Sequence, residues 1–228
     1  MSNNHPVSVV AIDGPSASGK STVSKRVAQE LKFTYVDSGS LYRGMTWKAL
    51  REGVDIGQPE QVLELMNRMK LDFYAENRVV QFTIDGENPG LQLRSEPVRE
   101  NVADIAAIPG VRAFMVARLQ EMVRFGNIVM EGRDIGTVVF PESPFKYYLD
   151  ADPEERARRR SLELKNMEGV GDVTKVLDSL TRRDKKDSTR KTAPLQIALG
   201  AKVINSTSMT IEEVVAQIVA EVRTALGS

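Results

Sequence analysis

The chain has 228 residues, of which 41% are hydrophobic and 27% are charged, enough for one sizeable core with inserted subdomains or at most two small domains. Its 31 Lys and Arg residues balance its 31 Asp and Glu residues, and a net charge of zero argues against a dedicated nucleic-acid binder. The sequence has no cysteine and one histidine, His5, which excludes disulfides, thiolate chemistry and cysteine-ligated zinc and argues against a catalyst built on imidazole.

Membrane and targeting signals are also missing from the sequence. No stretch approaches about 18 apolar residues, and the first residues lack an apolar run behind positive charge, so neither a membrane span nor a signal peptide is predicted. His5 stands in a short polar start, residues 2–6, that we expect to be frayed. We expect a cytoplasmic chain, a monomer, with no membrane or nucleic-acid partner.

Apolar, β-branched or aromatic runs alternate with segments of helical period along most of the chain. In chain order the pattern predicts a strand at Val7–Ile12, a helix at Lys20–Leu31, a strand at Phe33–Val36, helices at Leu41–Glu52 and Arg112–Phe125, strands at Ile128–Met130 and Phe145–Leu149, helices at Pro153–Lys165 and Thr174–Lys185, a strand at Lys202–Ile204 and a helix at Ile211–Ala225. Near-continuous apolar strands with helices between them are typical of a parallel sheet covered on both faces. The sequence therefore predicts an α/β fold.

One region interrupts this alternation. From Leu71 to Leu93 apolar and polar residues alternate, and turn signals occur at Glu76-Asn77 and Asp85-Gly86. This pattern predicts a small antiparallel sheet, which a parallel βαβ domain carries as an insertion.

A glycine-rich loop behind the first strand is the strongest signal. The run from Gly14 to Ser21 matches G-x-x-x-x-G-K-S between a predicted strand and a predicted helix, the context that this motif requires. Glycines let successive N–H groups face an anion, and the helix N-terminus adds its positive end. Lys20 is predicted to reach the β- and γ-phosphates of ATP, and the Ser21 hydroxyl to ligate Mg²⁺. The predicted ATP site comprises Gly14, Pro15, Ser16, Ala17, Ser18, Gly19, Lys20, Ser21 and Thr22; a turn that merely caps a helix is the alternative.

A phosphate-binding loop does not by itself name a reaction. Usable Asn-Lys-x-Asp and Asp-x-x-Gly motifs are missing, which argues against a GTPase switch. The chain instead has arginines at many separated points: Arg43, Arg112, Arg133, Arg156, Arg159, Arg160, Arg183 and Arg190. Arginine forks bind phosphates bidentately, so this set suits a kinase with two phosphorylated ligands. Such a kinase needs no catalytic base, because an acceptor phosphate is already ionised at neutral pH and the work is positioning and charge neutralisation.

Three of these arginines have helical spacing. Arg156, Arg159 and Arg160 stand at i, i+3 and i+4, so they share one face of a helix. The helix follows a strand and precedes the polar residues 166–172. We interpret it as a mobile lid over the phosphates, with a solvated surface as the alternative.

These motifs together resemble the bacterial cytidylate kinase family along nearly the whole chain. The similar segments are Ile12–Pro15 with Gly19–Thr22 for the ATP loop, Asp37–Arg43 for the acceptor phosphate, Ile108–Arg112 for the base, Glu131–Thr137 as a segment highly specific to the family, and Arg183–Arg190 with Ala193–Leu195 for the part that closes over sugar and phosphates. The predicted antiparallel insertion falls where these kinases carry an extra sheet.

The resemblance implies a P-loop NTPase fold in a single kinase domain spanning residues 1–228. Its core, at about residues 7–52, 108–150 and 195–228, would be a five-stranded parallel sheet flanked by helices. An insert at about 53–107 would hold the small antiparallel sheet and bind the monophosphate, and a helical lid would occupy about 151–190.

The resemblance also implies ATP-dependent phosphorylation of CMP and dCMP, with ATP as phosphoryl donor and Mg²⁺. The implied roles are Ser38, Gly39 and Arg43 for the CMP phosphate, with Arg133 beside them; Arg112 and Asp134 for cytosine; Arg183 and Asp187 for the sugar; and Lys20, Arg133, Arg156, Arg160 and Arg190 for the phosphates during transfer. One departure is Ala103, where family members place a serine whose hydroxyl helps bind the base.

Other interpretations stay open at this point. Another P-loop kinase could act on UMP, AMP or a metabolite alcohol. An RNA-binding accessory protein could use Arg156–Arg160 and Arg182–Lys191, although acids interrupt the second stretch and neither has an aromatic platform. Asp134 could be only an ion-pair partner of an arginine, and Asp37–Gly39 only an N-cap and turn.

Overall fold

The computed structural model describes residues 7–169 and 171–227, so the predicted frayed start around His5 lies outside the described residues. The strands are β1 (Val9–Asp13), β2 (Thr34–Asp37), β3 (Leu71–Glu76), β4 (Val79–Ile84), β5 (Ile128–Gly132), β6 (Phe145–Asp150) and β7 (Lys202–Asn205). The helices are α1 (Lys20–Leu31), α2 (Ser38–Arg51), α3 (Pro59–Arg68), α4 (Glu96–Ala107), α5 (Pro109–Gln120), α6 (Pro153–Glu168), α7 (Val173–Thr189) and α8 (Ile211–Leu226).

The strands form one sheet in the order β3-β4-β2-β5-β1-β6-β7. β2, β5, β1, β6 and β7 run parallel, which confirms the predicted five-stranded parallel core. Side chains of β1 alternate between two hydrophobic clusters: Val9 and Ala11 pack with α2–α5, and Val10 and Ile12 pack with α1 and α8. Because helices cover both faces, β1 and β5 are buried throughout, and this explains their continuous apolar pattern.

The predicted antiparallel pair is present as β3 and β4, which pair from Leu71–Ile84 to Glu76–Val79. Asn77 and Arg78 join them, both with positive φ, the two-residue turn whose twist suits a hairpin. The hairpin does not form a sheet of its own, because Val79 pairs with Tyr35 of β2 and so extends the parallel sheet at its edge.

Two helices, α3 and α4, have no counterpart among the predicted elements. Both carry proline in the first turn, where its missing N–H costs nothing, and in α3 Val62, Leu65 and Met66 form a short buried stripe. α2 also begins at Ser38 rather than Leu41, directly after β2. In the described part of the chain, no helix has the length and apolar composition that crossing a membrane requires.

A third, smaller apolar cluster lies between α6 and α7. It consists of Ala157, Val176 and Leu180, and Ala17 of the glycine-rich loop packs against it. The α6–α7 pair therefore rests on the loop that follows β1.

Candidate active site

A cleft of about 1170 Å³ lies at the carboxyl ends of β1, β2 and β5, the edge where open α/β sheets bind ligands. Its volume exceeds the ~300–1,000 Å³ of ordinary ligand pockets, so it has room for two nucleotides. The predicted residues that line it are Ser16, Ala17, Ser18, Gly19, Lys20, Ser21, Thr22, Ser38, Gly39, Arg43, Arg112, Arg133, Asp134, Arg160, Arg183, Asp187 and Arg190. Gly14, Pro15 and Arg156 are the predicted site residues outside this lining.

The loop between β1 and α1 has the tight backbone that its glycines predict. Gly14 has a φ of 147°, and a Cβ there would lie 2.1 Å from the carbonyl oxygen of Leu149, so only glycine fits. Lys20 is buried, and its Nζ donates to the carbonyl of Pro15 and, at 3.2 Å, to Ser18 Oγ. Burial, and then the positive charge of Arg133, lower the pKa of Lys20 to about 7.

Beside this lysine, a buried carboxylate that the sequence analysis did not single out joins two elements. Glu131 at the end of β5 accepts hydrogen bonds from Ser21 Oγ at 3.0 Å and from the Tyr35 hydroxyl. Burial, and then the nearby charge of Asp37, raise the pKa of Glu131. In the described residues no cluster of three or more His, Cys, Asp or Glu could hold a metal. Ser21 and Glu131 are two oxygen donors in contact at the start of α1.

The segment after β2 is both a helix cap and a wall of the cleft. Asp37 caps α2 by accepting the Ser40 N–H at 3.0 Å, and Arg43 donates to Asp37 at 2.7 Å. Burial opposes ionisation of Asp37, but Arg43 and Ser40 outweigh it and hold its pKa below the usual value. Ser38 Oγ donates to the backbone oxygen of Glu131 at 2.6 Å, which ties the end of β2 to β5.

Arg112 and Asp134 form a buried ion pair at one end of the cleft, exposed by only 2% and 4%. Arg112 also donates to the carbonyl of Ala106 at 3.2 Å and lies over the ring of Tyr42, 5.4 Å from its centroid. The second oxygen of Asp134 lies 3.7 Å from Arg190. Asp134 is thus partnered by arginines and still faces the cleft.

Positive charge is concentrated in the middle of the cleft. Arg133 donates to Asp187 at 3.0 Å and to Ser16 Oγ at 2.8 Å. Burial, followed by the charges of Arg133, Arg43 and Arg160, with Asp187 opposing them, lowers the pKa of Arg183 to about 10. Neighbouring cations destabilise the charged form of Arg183, and a bound polyanion would offset that destabilisation.

Of the three α6 arginines that the spacing grouped together, Arg159 and Arg160 line the cleft and Arg156 does not. Arg160 lines the cleft and pairs with Glu163 at 2.7 Å. Arg159 donates to the backbone oxygen of Ser206 at 2.7 Å. Arg156 is buried behind the loop, where it donates to the Ser16 carbonyl at 3.1 Å. The spacing predicted a common face, but Arg156 lies in the first turn of α6, close to the end of β6, and is covered by the loop.

A family model described as cytidylate kinase matches residues 10–224. The chain belongs to the cytidylate kinase family. A cytidylate kinase of Caldanaerobacter subterraneus subsp. tengcongensis is 41% identical, over 94% of this chain and 94% of that protein. One from Limosilactobacillus fermentum is 42% identical, over 95% and 96% of the two chains.

One solved structure shares the fold. A solved structure of an uncharacterized protein from Eubacterium ventriosum covers 95% of this chain and 98% of that one, with a TM-score of 0.51 and 11% identity, a likeness that concerns the fold alone.

Family membership confirms the predicted enzyme class: the chain is a kinase of the cytidylate kinase family, and the predicted ATP-dependent phosphorylation of CMP is confirmed with it.

In this member of the cytidylate kinase family, one whole wall of the cleft consists of residues that were not predicted from the sequence. This wall lies beside the glycine-rich loop and is lined by Gln29 of α1, Arg158 of α6 and the residues from Ser206, after β7, to Ile211, the first residue of α8. One signal could have found them: residues that follow a parallel strand lie at the ligand-binding edge of the sheet.

Proposed function

We propose that this chain transfers the γ-phosphoryl group of ATP to the phosphate of CMP, and of dCMP, within the single large cleft. The observation that carries the proposal is the combination of a phosphate-binding loop, a surplus of arginines and a buried Arg112–Asp134 pair along one continuous lining. The cleft is large enough for donor and acceptor together, as direct transfer requires.

On the donor side, the glycine-rich loop and α1 supply N–H groups for the phosphates, and Lys20 supplies a charge. Because burial and Arg133 make the Lys20 ammonium costly, a phosphate nearby stabilises it strongly. The residues from Ser206 to Ile211 with Gln29 are proposed to hold the ATP base.

On the acceptor side, Ser38 and Arg43 hold the CMP phosphate, and Arg133 lies between the two phosphates. An oxygen of that phosphate bonds to the γ-phosphorus as the bond from γ-phosphorus to the bridging oxygen breaks, giving CDP and ADP. Arg160, Arg183 and Arg190, all in the cleft lining, spread the developing charge, so no general base is required.

Cytosine recognition is assigned to Arg112 and Asp134. An ionised carboxylate only accepts hydrogen bonds, and cytosine offers an amino donor where uracil has a carbonyl oxygen. Since both residues are buried and already paired, their positions are set before the base arrives, which favours discrimination.

The residues beside the loop fit a magnesium ion. Mg²⁺ prefers oxygen ligands, uses one or two protein groups and retains water and phosphate ligands, and Ser21 with Glu131 offers that donor set. When bound, the ion neutralises charge on the β- and γ-phosphates. Ser21 and Glu131 are the residues proposed to hold it, with Tyr35 fixing the second carboxylate oxygen.

We also propose that residues 151–190 form a lid over a core and a monophosphate-binding insert at 53–107. Two ion pairs join the proposed lid to the proposed insert: Lys186 of α7 with Asp104 of α4, and Arg94 with Glu163 of α6 at 3.5 Å. Limited proteolysis between residues 166 and 172 should slow when ATP and CMP are both added. Equal cutting rates with and without the nucleotides would contradict the lid.

A coupled assay of ADP formation tests the reaction, with CMP, dCMP, UMP and AMP offered in turn. We expect rapid turnover with CMP and dCMP and slow turnover with UMP and AMP. Turnover fastest with AMP or UMP would identify a different acceptor, and no acceptor-dependent ADP would overturn the proposal.

We also propose a cytoplasmic location, where ATP and nucleotide acceptors are available, and a monomeric state. Light scattering that gives the mass of one chain, and activity in the cytoplasmic fraction of cells, are the expected results.

A further inference from the structure

Both main-chain polar groups of Ser16 are bonded from the α6–α7 pair. Asp184 Oδ1 accepts the Ser16 N–H at 3.2 Å, and Arg156 Nη1 donates to the Ser16 carbonyl at 3.1 Å. The same Nη1 donates to Asp184 Oδ2. Loop, α6 and α7 are thereby joined in a closed ring of three hydrogen bonds.

This ring is largely withdrawn from water. The side chains of Arg156 and Asp184 are 9% and 16% exposed, and a buried arginine that loses its carboxylate is left as an uncompensated charge. Ala17, the next loop residue, has a φ of 60° and packs on the apolar cluster between α6 and α7. Ser16 and Ala17 are therefore the contact through which the helix pair meets the loop.

The contact continues toward the acceptor side of the cleft. Arg133 donates to Ser16 Oγ at 2.8 Å and to Asp187 at 3.0 Å. Asp184 and Asp187 are three residues apart on α7, so they share a face. One face of α7 thus contacts the phosphate-binding loop through Asp184 and an arginine of the phosphate centre through Asp187.

We propose that Asp184 is a positioning residue for phosphoryl transfer. Its carboxylate fixes Arg156 and the Ser16 peptide relative to each other, so that the glycine-rich loop and the α6–α7 pair contact the phosphates in one fixed arrangement. Asp184 does not belong to the cleft lining, so it acts through Arg156 and Ser16 and not by touching a substrate. The inference rests on the proposed function, because it concerns the same transfer.

Asp184→Asn keeps the shape of the side chain but removes the charge that binds Arg156. Transition-state interactions are sensitive to small displacements, so kcat with ATP and CMP should fall about 10- to 100-fold while KM for CMP changes less than about threefold. Asp184→Glu, which restores the charge on a longer side chain, should recover part of kcat. Asp178→Asn removes the same charge from an exposed position on α7 and should match the wild type.

A double-mutant cycle identifies the partner. If Asp184 acts through Arg156, Arg156→Ala with Asp184→Asn should have the kcat of Arg156→Ala alone, within about threefold. Losses in kcat that multiply in the double variant would overturn the inference. A lower KM for ATP with unchanged kcat in Asp184→Asn would also overturn it, because the carboxylate would then be a group that opposes phosphate binding. Melting curves and CMP binding establish that each variant is folded.

The wild-type assay distinguishes failure of this inference from failure of the proposed function. A wild-type chain that does not phosphorylate CMP would overturn the proposed function and this inference together. An active wild type with an equally active Asp184→Asn variant would overturn this inference only.

Discussion

The base end and the phosphate centre of the cleft differ in how their charges are balanced. At the base end, Arg112 and Asp134 are buried as a pair of opposite charges. At the phosphate centre, burial and neighbouring cations lower the pKa of Lys20 to about 7 and that of Arg183 to about 10.

The two ends of the cleft are therefore expected to contribute differently to the reaction. A buried ion pair keeps its geometry with and without substrate, and it disfavours a base that would leave one of its polar groups without a partner. A surplus of buried cations is costly to fold, and it is relieved by negative charge that develops during transfer. Selectivity is expected from the first end and rate from the second.

Lys20→Ala is expected to have the largest effect, because it removes a charge from the phosphate centre. Each ~1.4 kcal/mol of lost transition-state stabilisation costs tenfold in rate, and we expect kcat to fall at least about 100-fold. Tm should hold or rise, since a costly buried cation is removed. Lys175→Ala, at a lysine whose side chain is 86% exposed, is the control. A variant that retains half the wild-type turnover would remove Lys20 from the mechanism.

Asp134→Asn tests the base end. Asparagine has nearly the same shape but presents a donor as well as an acceptor. We expect kcat/KM for CMP to fall and the preference for CMP over UMP to narrow by ~1–3 kcal/mol, the scale of an unpaired buried group. The measurement is kcat/KM for both acceptors in both proteins, with melting curves. Equal losses for the two substrates would make Asp134 a structural partner of Arg112 only.

ATP binding should take up a proton above neutral pH. With a pKa of about 7, Lys20 is largely neutral at pH 8 in the free enzyme, and nearby phosphates raise that pKa. ATP affinity should therefore fall as pH rises from about 7 to 9, by at most about tenfold per unit. Calorimetry at pH 8 in two buffers of different ionisation enthalpy measures the uptake. Lys20→Met should lose it; an unchanged uptake in that variant would assign the proton elsewhere.

Ala103→Ser is expected to have the smallest effect. Ala103 lines the cleft near Ala106 and Arg112, and the family resemblance associates a serine hydroxyl there with the base. One neutral hydrogen bond is worth ~0.5–1.5 kcal/mol, so kcat/KM for CMP should rise about two- to tenfold. No change, or a loss, would mean that another group already bonds that atom of the base.

Local patterns predicted the parts of the fold that local chemistry controls. The strands of the parallel core, the loop from Gly14 to Ser21 and the β3–β4 hairpin follow from residue types and short spacings. The helices α3 and α4 escaped prediction although their buried apolar residues have helical spacing: Val62, Leu65 and Met66 in α3, and Val98, Val102 and Ile105 in α4. These residues pack in the same core cluster as apolar residues of α2 and α5.

The residues that the sequence analysis missed depend on distant partners. Glu131 meets Ser21 from 110 residues away, and Asp184 meets Ser16 from 168 away. The separation of Arg156 from Arg160 likewise depends on how α6 packs on the loop. No spacing rule reaches over such distances.

By itself, the sequence determined the α/β class, the phosphate-binding loop and, through its motifs, the family, because backbone conformation and phosphate chemistry depend on residues close together in the chain. Only the tertiary structure decided that Arg112 pairs with Asp134, that Arg156 lies behind the loop and that Glu131 and Asp184 hold it from two sides. Those contacts form where strand ends and helix faces converge, and burial there sets both the partners of each charge and its pKa.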